Sequence, residues 1–194
     1  MTLTIPQRKD IISCFEGFYF GGDPNTDSKN WSGFIKNEEL LVERNFFSDL
    51  SAKGINWGFI SGAETASAKF VLEERLKLKS PPLIAMGDAP DKPDPQGFIY
   101  LAKKLCSNKL GCTNISIAYV GDTIADIQMV INARKKIPSQ KFLSIGIAPP
   151  HLHKESRIKE RNFYESNLRD AGADLILDSV NDLRDIDIDS FKKE

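Results

Sequence analysis

The sequence predicts an α/β fold, a parallel sheet with helices on both faces, and three features of the chain predict it. Short apolar runs suited to buried strands alternate with longer stretches of helical apolar spacing. Polar residues able to do chemistry stand just after those runs, where open α/β sheets gather their functional groups. The clearest unit is Ile115–Ile127: Ile115-Ser116-Ile117-Ala118-Tyr119-Val120 reads as a strand covered on both faces, and Gly121 turns the backbone. Ile127, Val130 and Ile131 then continue as a helix with one apolar side.

The remaining elements follow in order. Residues 3–20 have a helix-compatible pattern (Ile11, Ile12, Phe15, Phe18, Tyr19, Phe20) broken by Gly17, and Gly21-Gly22-Asp23-Pro24-Asn25 is a strong turn signal. Glu38–Ala52 reads as an amphipathic helix through Leu40, Leu41, Phe47 and Leu50, stopped by Gly54. Ile55–Ile60 alternates like a strand and ends at Ser61-Gly62-Ala63. Glu64–Leu78 is a helix closed by Pro81-Pro82, Leu83–Met86 a short strand, and Phe98, Leu101, Ala102 and Leu105 mark a helix after the loop Gly87–Pro95. Phe142–Ala148 is a further strand, Glu155–Ala171 a charged helix stopped by Gly172, and Asp174–Asp178 the last strand. A short helix opens the charged tail Ser179–Glu194.

Charge and composition narrow the function. The 26 basic and 27 acidic side chains nearly cancel, which leaves no electrostatic footprint for nucleic acid or an anionic membrane. No segment has the apolar length of a bilayer span. Cys14, Cys106 and Cys112 fit no metal-ligand spacing, with only His151 and His153 to assist them, and read as reduced thiols of a cytoplasmic protein.

Ser61, Lys92 and the pair Asp122/Asp126 stand at strand ends or in adjoining loops. Their types suit phosphate chemistry: a hydroxyl and an ammonium hold phosphoryl oxygens, and carboxylates hold Mg²⁺. Each also has a plainer role. Ser61 suits the start of the following helix, Lys92 a solvated loop, Asp122 a helix cap and Asp126 a first-turn acid.

The ordered motifs Phe59-Ile60-Ser61-Gly62-Ala63, Lys92-Pro93-Asp94-Pro95 and Gly121-Asp122-Thr123-Ile124-Ala125-Asp126 resemble those of the haloacid dehalogenase (HAD) superfamily. Within it, the resemblance is to the phosphatase-like members with a helical cap between the first two core strands, and it runs from about residue 40 to 180. It implies a Rossmann-like three-layer parallel sheet and hydrolysis of a small phosphorylated metabolite. Ser61 and Gly62 would bind the phosphoryl group, and Lys92 would pair with its oxygens and with the nucleophile. Asp122 would ligate Mg²⁺, with Asp126 supporting the metal site. Residues 1–37 would be the end of the cap and residues 38–194 the core; Phe18–Pro24 is a candidate for substrate contact, with core packing or a hinge the stronger reading for its aromatics.

The family's first motif, an Asp-x-Asp whose leading carboxylate becomes an aspartyl-phosphate, is not found before Ser61. Asp185-Ile186-Asp187-Ile188-Asp189 is the one match, and it follows a polar stretch instead of an apolar run. The resemblance therefore implies a chain that begins inside the cap, lacks the central first strand, and is inactive and poorly soluble or molten until an N-terminal segment complements it. The alternative is a non-catalytic HAD-derived protein that binds phosphate or a partner.

Overall fold

A computed structural model describes residues 5–43, 45–111 and 115–186. In chain order its elements are α1 (Arg8–Tyr19), α2 (Phe46–Ala52), β1 (Phe59–Ile60), α3 (Thr65–Lys69), β2 (Leu83–Ile84), α4 (Gln96–Leu105), β3 (Ile117–Gly121), α5 (Ile124–Lys136), β4 (Phe142–Ile147), α6 (Ile158–Asp170) and β5 (Leu175–Leu177). Short 3₁₀ turns and one π-helical turn, Phe70–Arg75, complete them. No helix among the described residues is long and apolar enough to cross a membrane. The chain divides into two compact units, Met1–Leu40 with Ser61–Pro81, and Leu41–Ile60 with Pro82–Glu194.

The first unit is helical. Phe20, Trp31, Ile35 and Phe70 are buried together, with ring centroids 4.7 Å apart for Phe20 and Trp31 and 5.2 Å for Trp31 and Phe70. Tilted aromatic pairs at such distances add to the gain from burial. Two facing glycines, Gly21 and Gly33, are sterically required here. The Phe20 carbonyl accepts from both Ser32 N and Gly33 N, and a Cβ on Gly33 would lie 2.3 Å from Gly21 N. The aromatic segment divides accordingly: Phe20 is 3% exposed and belongs to the core, whereas Phe18 is 78% exposed. Tyr19 donates to Glu38 Oε2 at 3.1 Å, and burial followed by the Glu38 charge pushes its phenol up to about 12. Gly17 does not break α1, and α1 buries none of its residues.

The second unit holds the five strands found among the described residues, every pairing parallel, in two sheets ordered β1-β2 and β3-β4-β5. Residues Phe98, Met129, Val130, Ala133 and Phe142 form its main core cluster, against which Ile60 and Tyr119 pack. β4 has a partner on each side and is buried along nearly its whole length, while β3 pairs only with β4 and is half-buried throughout. In a parallel ladder, successive residues aim their backbone groups to opposite sides. Ile117 N donates to Lys141 O and Phe59 N to Pro82 O, so Ala118 and Val120 face away from β4 and Ile60 faces away from β2. Among the described residues two ladders thus end in open edges, bridged by side chains: Tyr119 Oη and Lys92 Nζ each lie 3.5 Å from the Ile60 carbonyl.

The α/β class and the parallel strands are as the sequence predicts, and three spans are shorter. The Glu38–Ala52 helix exists only as α2, because Asn181 occupies the Glu43 N–H and the Leu41 carbonyl that a helix would use internally. The Ile55–Ile60 run pairs only at Phe59 and Ile60, having a ladder partner on one side alone. The Leu83–Met86 run pairs with β1 only at Leu83 and Ile84; the Ala85 N–H is taken by Asp88 Oδ2 at 2.8 Å, and Met86 bridges locally to Ala89.

Open parallel edges with half-exposed apolar residues favour pairing between copies. The chain is expected to enhance 1-anilinonaphthalene-8-sulfonate fluorescence and to sediment as concentration-dependent oligomers. A monodisperse monomer at high concentration with no dye binding would contradict this.

Candidate active site

The site forms where β3 gives way to α5. Gly121 is needed there by close approach, since a Cβ on it would lie 2.5 Å from the Asp126 Cγ. Thr123 caps the helix: its Oγ1 accepts from Asp126 N at 3.2 Å, and Asp126 Oδ2 accepts from Thr123 N at 3.0 Å and Thr123 Oγ1 at 2.7 Å. This reciprocal capping box draws Asp126 back against the strand end.

The other Asp126 oxygen holds the lysine. Oδ1 accepts from Lys92 Nζ at 2.7 Å and from Tyr119 Oη at 3.0 Å, with Lys92 Nζ and Tyr119 Oη also 3.0 Å apart. Asp126 is only 2% exposed. Burial pushes its carboxyl up, but the Lys92 and Thr123 hydrogen bonds and the Lys92 charge outweigh burial and hold it below the usual range. Four donors occupy the carboxylate, which makes Asp126 both helix cap and lysine anchor. Lys92, whose side chain is 23% exposed, is no freely solvated loop residue.

Asp122 is different. It is an exposed residue, yet partial desolvation by the surrounding protein, then the Asp126 charge, raise its carboxyl against the opposing effects of a backbone hydrogen bond and Lys92. Its carbonyl accepts from Tyr164 Oη of α6 at 2.6 Å. Tyr119 and Tyr164 both have phenols pushed up by burial and by these two carboxylates. Two carboxylates against one ammonium leave an excess of negative charge among hard oxygen donors. No group of three or more His, Cys, Asp or Glu gathers among the described residues. With Asp126 fully engaged, Asp122 is the carboxylate of this site that stays exposed, and Mg²⁺ can be held through one or two carboxylates with water and phosphate completing its shell.

Ser61 and Gly62 belong to the first unit. The Ser61 hydroxyl accepts from Ala63 N at 3.0 Å, and the cap position of the next helix is Glu64, so Ser61 does not start that helix. Gly62 has open space where a Cβ would project. Asp185 ends a 3₁₀ turn, Val180–Asp185, while Asp187, Asp189 and Cys112 lie outside the described residues. Cys14 and Cys106 are free thiols. A cavity of about 500 Å³ lies between β2 and α4, and none of the predicted site residues lines it. Tyr119 and Tyr164 were not singled out by the motifs; the available signal for Tyr119 was a hydroxyl within an otherwise apolar strand.

Opposite carboxyl shifts give opposite expectations. A lowered folded pKa stabilises the fold above the unfolded value of about 3.9 and is lost as pH falls through the folded value. Asp126 should therefore make the chain acid-sensitive, and Asp126→Asn should flatten that acid limb. Lys92→Met leaves a buried carboxylate unpaired and should cost on the order of 3 kcal/mol at neutral pH. A raised pKa works the other way, so Asp122→Asn should increase the urea midpoint at neutral pH, with the gain vanishing on acidification. Urea midpoints from circular dichroism between pH 3 and 7 test all three.

Comparison with known proteins agrees with this geometry. Residues 42–134 match the family model of the haloacid dehalogenase-like hydrolases. No curated protein matches. Among solved structures, a phosphonoacetaldehyde hydrolase-like protein from Oleispira antarctica superimposes with a TM-score of 0.59 at 21% identity. That match covers 77% of this chain and 56% of the other. At this identity the likeness speaks for the fold. This chain carries, over residues 42–134, a haloacid dehalogenase-like hydrolase domain.

Proposed function

We propose that the chain supplies most of the site of a Mg²⁺-dependent phosphomonoesterase acting on a small phosphorylated metabolite in the cytoplasm. The observation that carries this reading is the Lys92 ammonium, fixed 2.7 Å from Asp126 at the end of β3 beside the exposed Asp122 carboxylate. Lys92 would neutralise phosphoryl oxygens, and Ser61 with the Gly62 backbone would bind the same group. Asp122 would hold Mg²⁺, with Asp126 keeping Lys92 and the loop in place. Bound Mg²⁺ adds positive charge against the phosphoryl oxygens.

None of these side chains attacks phosphorus. The nucleophile in this reading is the carboxylate of an apolar, extended segment ending in Asp-x-Asp, seated between the open edges of β1 and β3. Its oxygen bonds to phosphorus as the ester P–O bond breaks and the leaving alkoxide takes a proton from water to become the alcohol; water then cleaves the aspartyl-phosphate, releasing inorganic phosphate and restoring the carboxylate. The outward-facing backbone of Ile60, Ala118 and Val120 supports this seat. Residues 1–37 would be the C-terminal part of a helical cap and 38–194 the core. The exposed Ile11, Phe15 and Phe18 of α1 suit a helix meant to pack against others.

The chain alone should not hydrolyse p-nitrophenyl phosphate above background. Supplying such a segment, fused or in trans, should give Mg²⁺-dependent turnover that Lys92→Ala and Asp122→Ala reduce by at least about 100-fold. A folded, complemented protein without Mg²⁺-dependent turnover would favour a binding protein over an enzyme.

A further inference from the structure

Tyr164 lies outside the three motifs, yet it meets the loop that carries Asp122. The peptide unit joining Asp122 to Thr123 is held from both sides. Its N–H donates to Asp126 Oδ2 at 3.0 Å, and its carbonyl accepts from Tyr164 Oη at 2.6 Å. With both polar ends tied, the peptide plane cannot rotate, and that plane sets the direction in which the Asp122 side chain leaves the backbone.

The two tethers come from independent elements. Asp126 belongs to α5, whereas Tyr164 stands on α6, which packs on β4 and β5 through Leu168, 0% exposed. One turn of ion pairing stiffens the helix at this level, with Arg161 Nε donating to Glu165 Oε1 at 2.7 Å. Gly121, just before the loop, is in register with Gly146 of β4. The loop therefore has fixed points on β4, α5 and α6, and the Asp122 carboxylate is the exposed group that these fixed points aim.

We propose that Tyr164 is a positioning residue for a divalent cation at Asp122, acting through the Asp122 carbonyl and not by touching the metal. The proposal rests on the reading of Asp122 as the Mg²⁺ ligand. Partners that orient a ligand commonly change metal affinity by about 10–100-fold when removed.

The test uses the full chain and Mn²⁺ as a paramagnetic probe of a hard oxygen site, titrated by electron paramagnetic resonance. Tyr164→Phe keeps the ring and loses only the hydroxyl. It should weaken Mn²⁺ binding about tenfold, speed hydrogen exchange at Thr123–Asp126, and leave the urea midpoint unchanged. Wild-type affinity in Tyr164→Phe, or unchanged exchange in the loop, overturns the proposal. So does a loss of affinity matched by an equal fall in the urea midpoint, which would mark a packing role. Wild-type binding that is absent or survives Asp122→Ala defeats the reading of Asp122 as ligand and the proposal with it, an outcome distinct from binding that needs Asp122 and ignores Tyr164.

Discussion

The Lys92 ammonium joins four parts of the second unit. It reaches Asp126 of α5, Tyr119 of β3 and, at 3.5 Å, the carbonyl of Ile60 in β1, from a loop that leads into α4. No backbone ladder links β1 to β3. Apolar packing of Ile60 and Tyr119 on the Phe98 and Met129 cluster supplies cohesion between them, but such packing is not directional. The ammonium supplies direction, because a charged donor buried with its acceptors is tolerated only in one arrangement. The residue that would meet a phosphoryl group is thus also the residue that aligns the two sheets.

This double role explains why Asp126 is so fully engaged. A buried carboxylate with spare lone pairs would carry a larger desolvation cost. Saturating it with Thr123 N, Thr123 Oγ1, Tyr119 and Lys92 lowers its pKa despite burial and fixes the first turn of α5. Gly121 is the steric condition for the arrangement, since any side chain there would occupy the space of the carboxylate.

Much of this was legible in the sequence, for reasons that differ by residue. The strand-to-helix turn at Gly121-Asp122 was readable because burial on both faces, a glycine and helical spacing coincide within a few residues. The Lys92 motif was readable from its order between two strand ends. The Asp126 partnership with Tyr119 was not, because it depends on which face of β3 turns toward the Lys92 loop. Tyr164 was hidden more deeply: it lies 42 residues from Asp122 on a charged helix, and only the packing of α6 on β4 and β5 brings the two together. The missing part of the Glu38–Ala52 helix likewise reflects Asn181, far away in sequence, outcompeting local hydrogen bonds.

Asp122 shows where the fold bears a cost. Asp126 is stabilised by the hydrogen bonds it accepts, whereas the exposed Asp122, one turn away, has its charged form disfavoured by partial desolvation and by that same neighbour. Nothing in the packing of β3 or α5 requires a carboxylate at this position: Thr123 caps the helix, Gly121 makes the turn, and Tyr164 binds the backbone instead of the side chain. An asparagine would fill the same volume without the repulsion. In the proposed function, a positive species outside the chain would complete this charge. The fold favours the charge on Asp126 and disfavours it on Asp122, and that asymmetry separates the two residues more sharply than their spacing does.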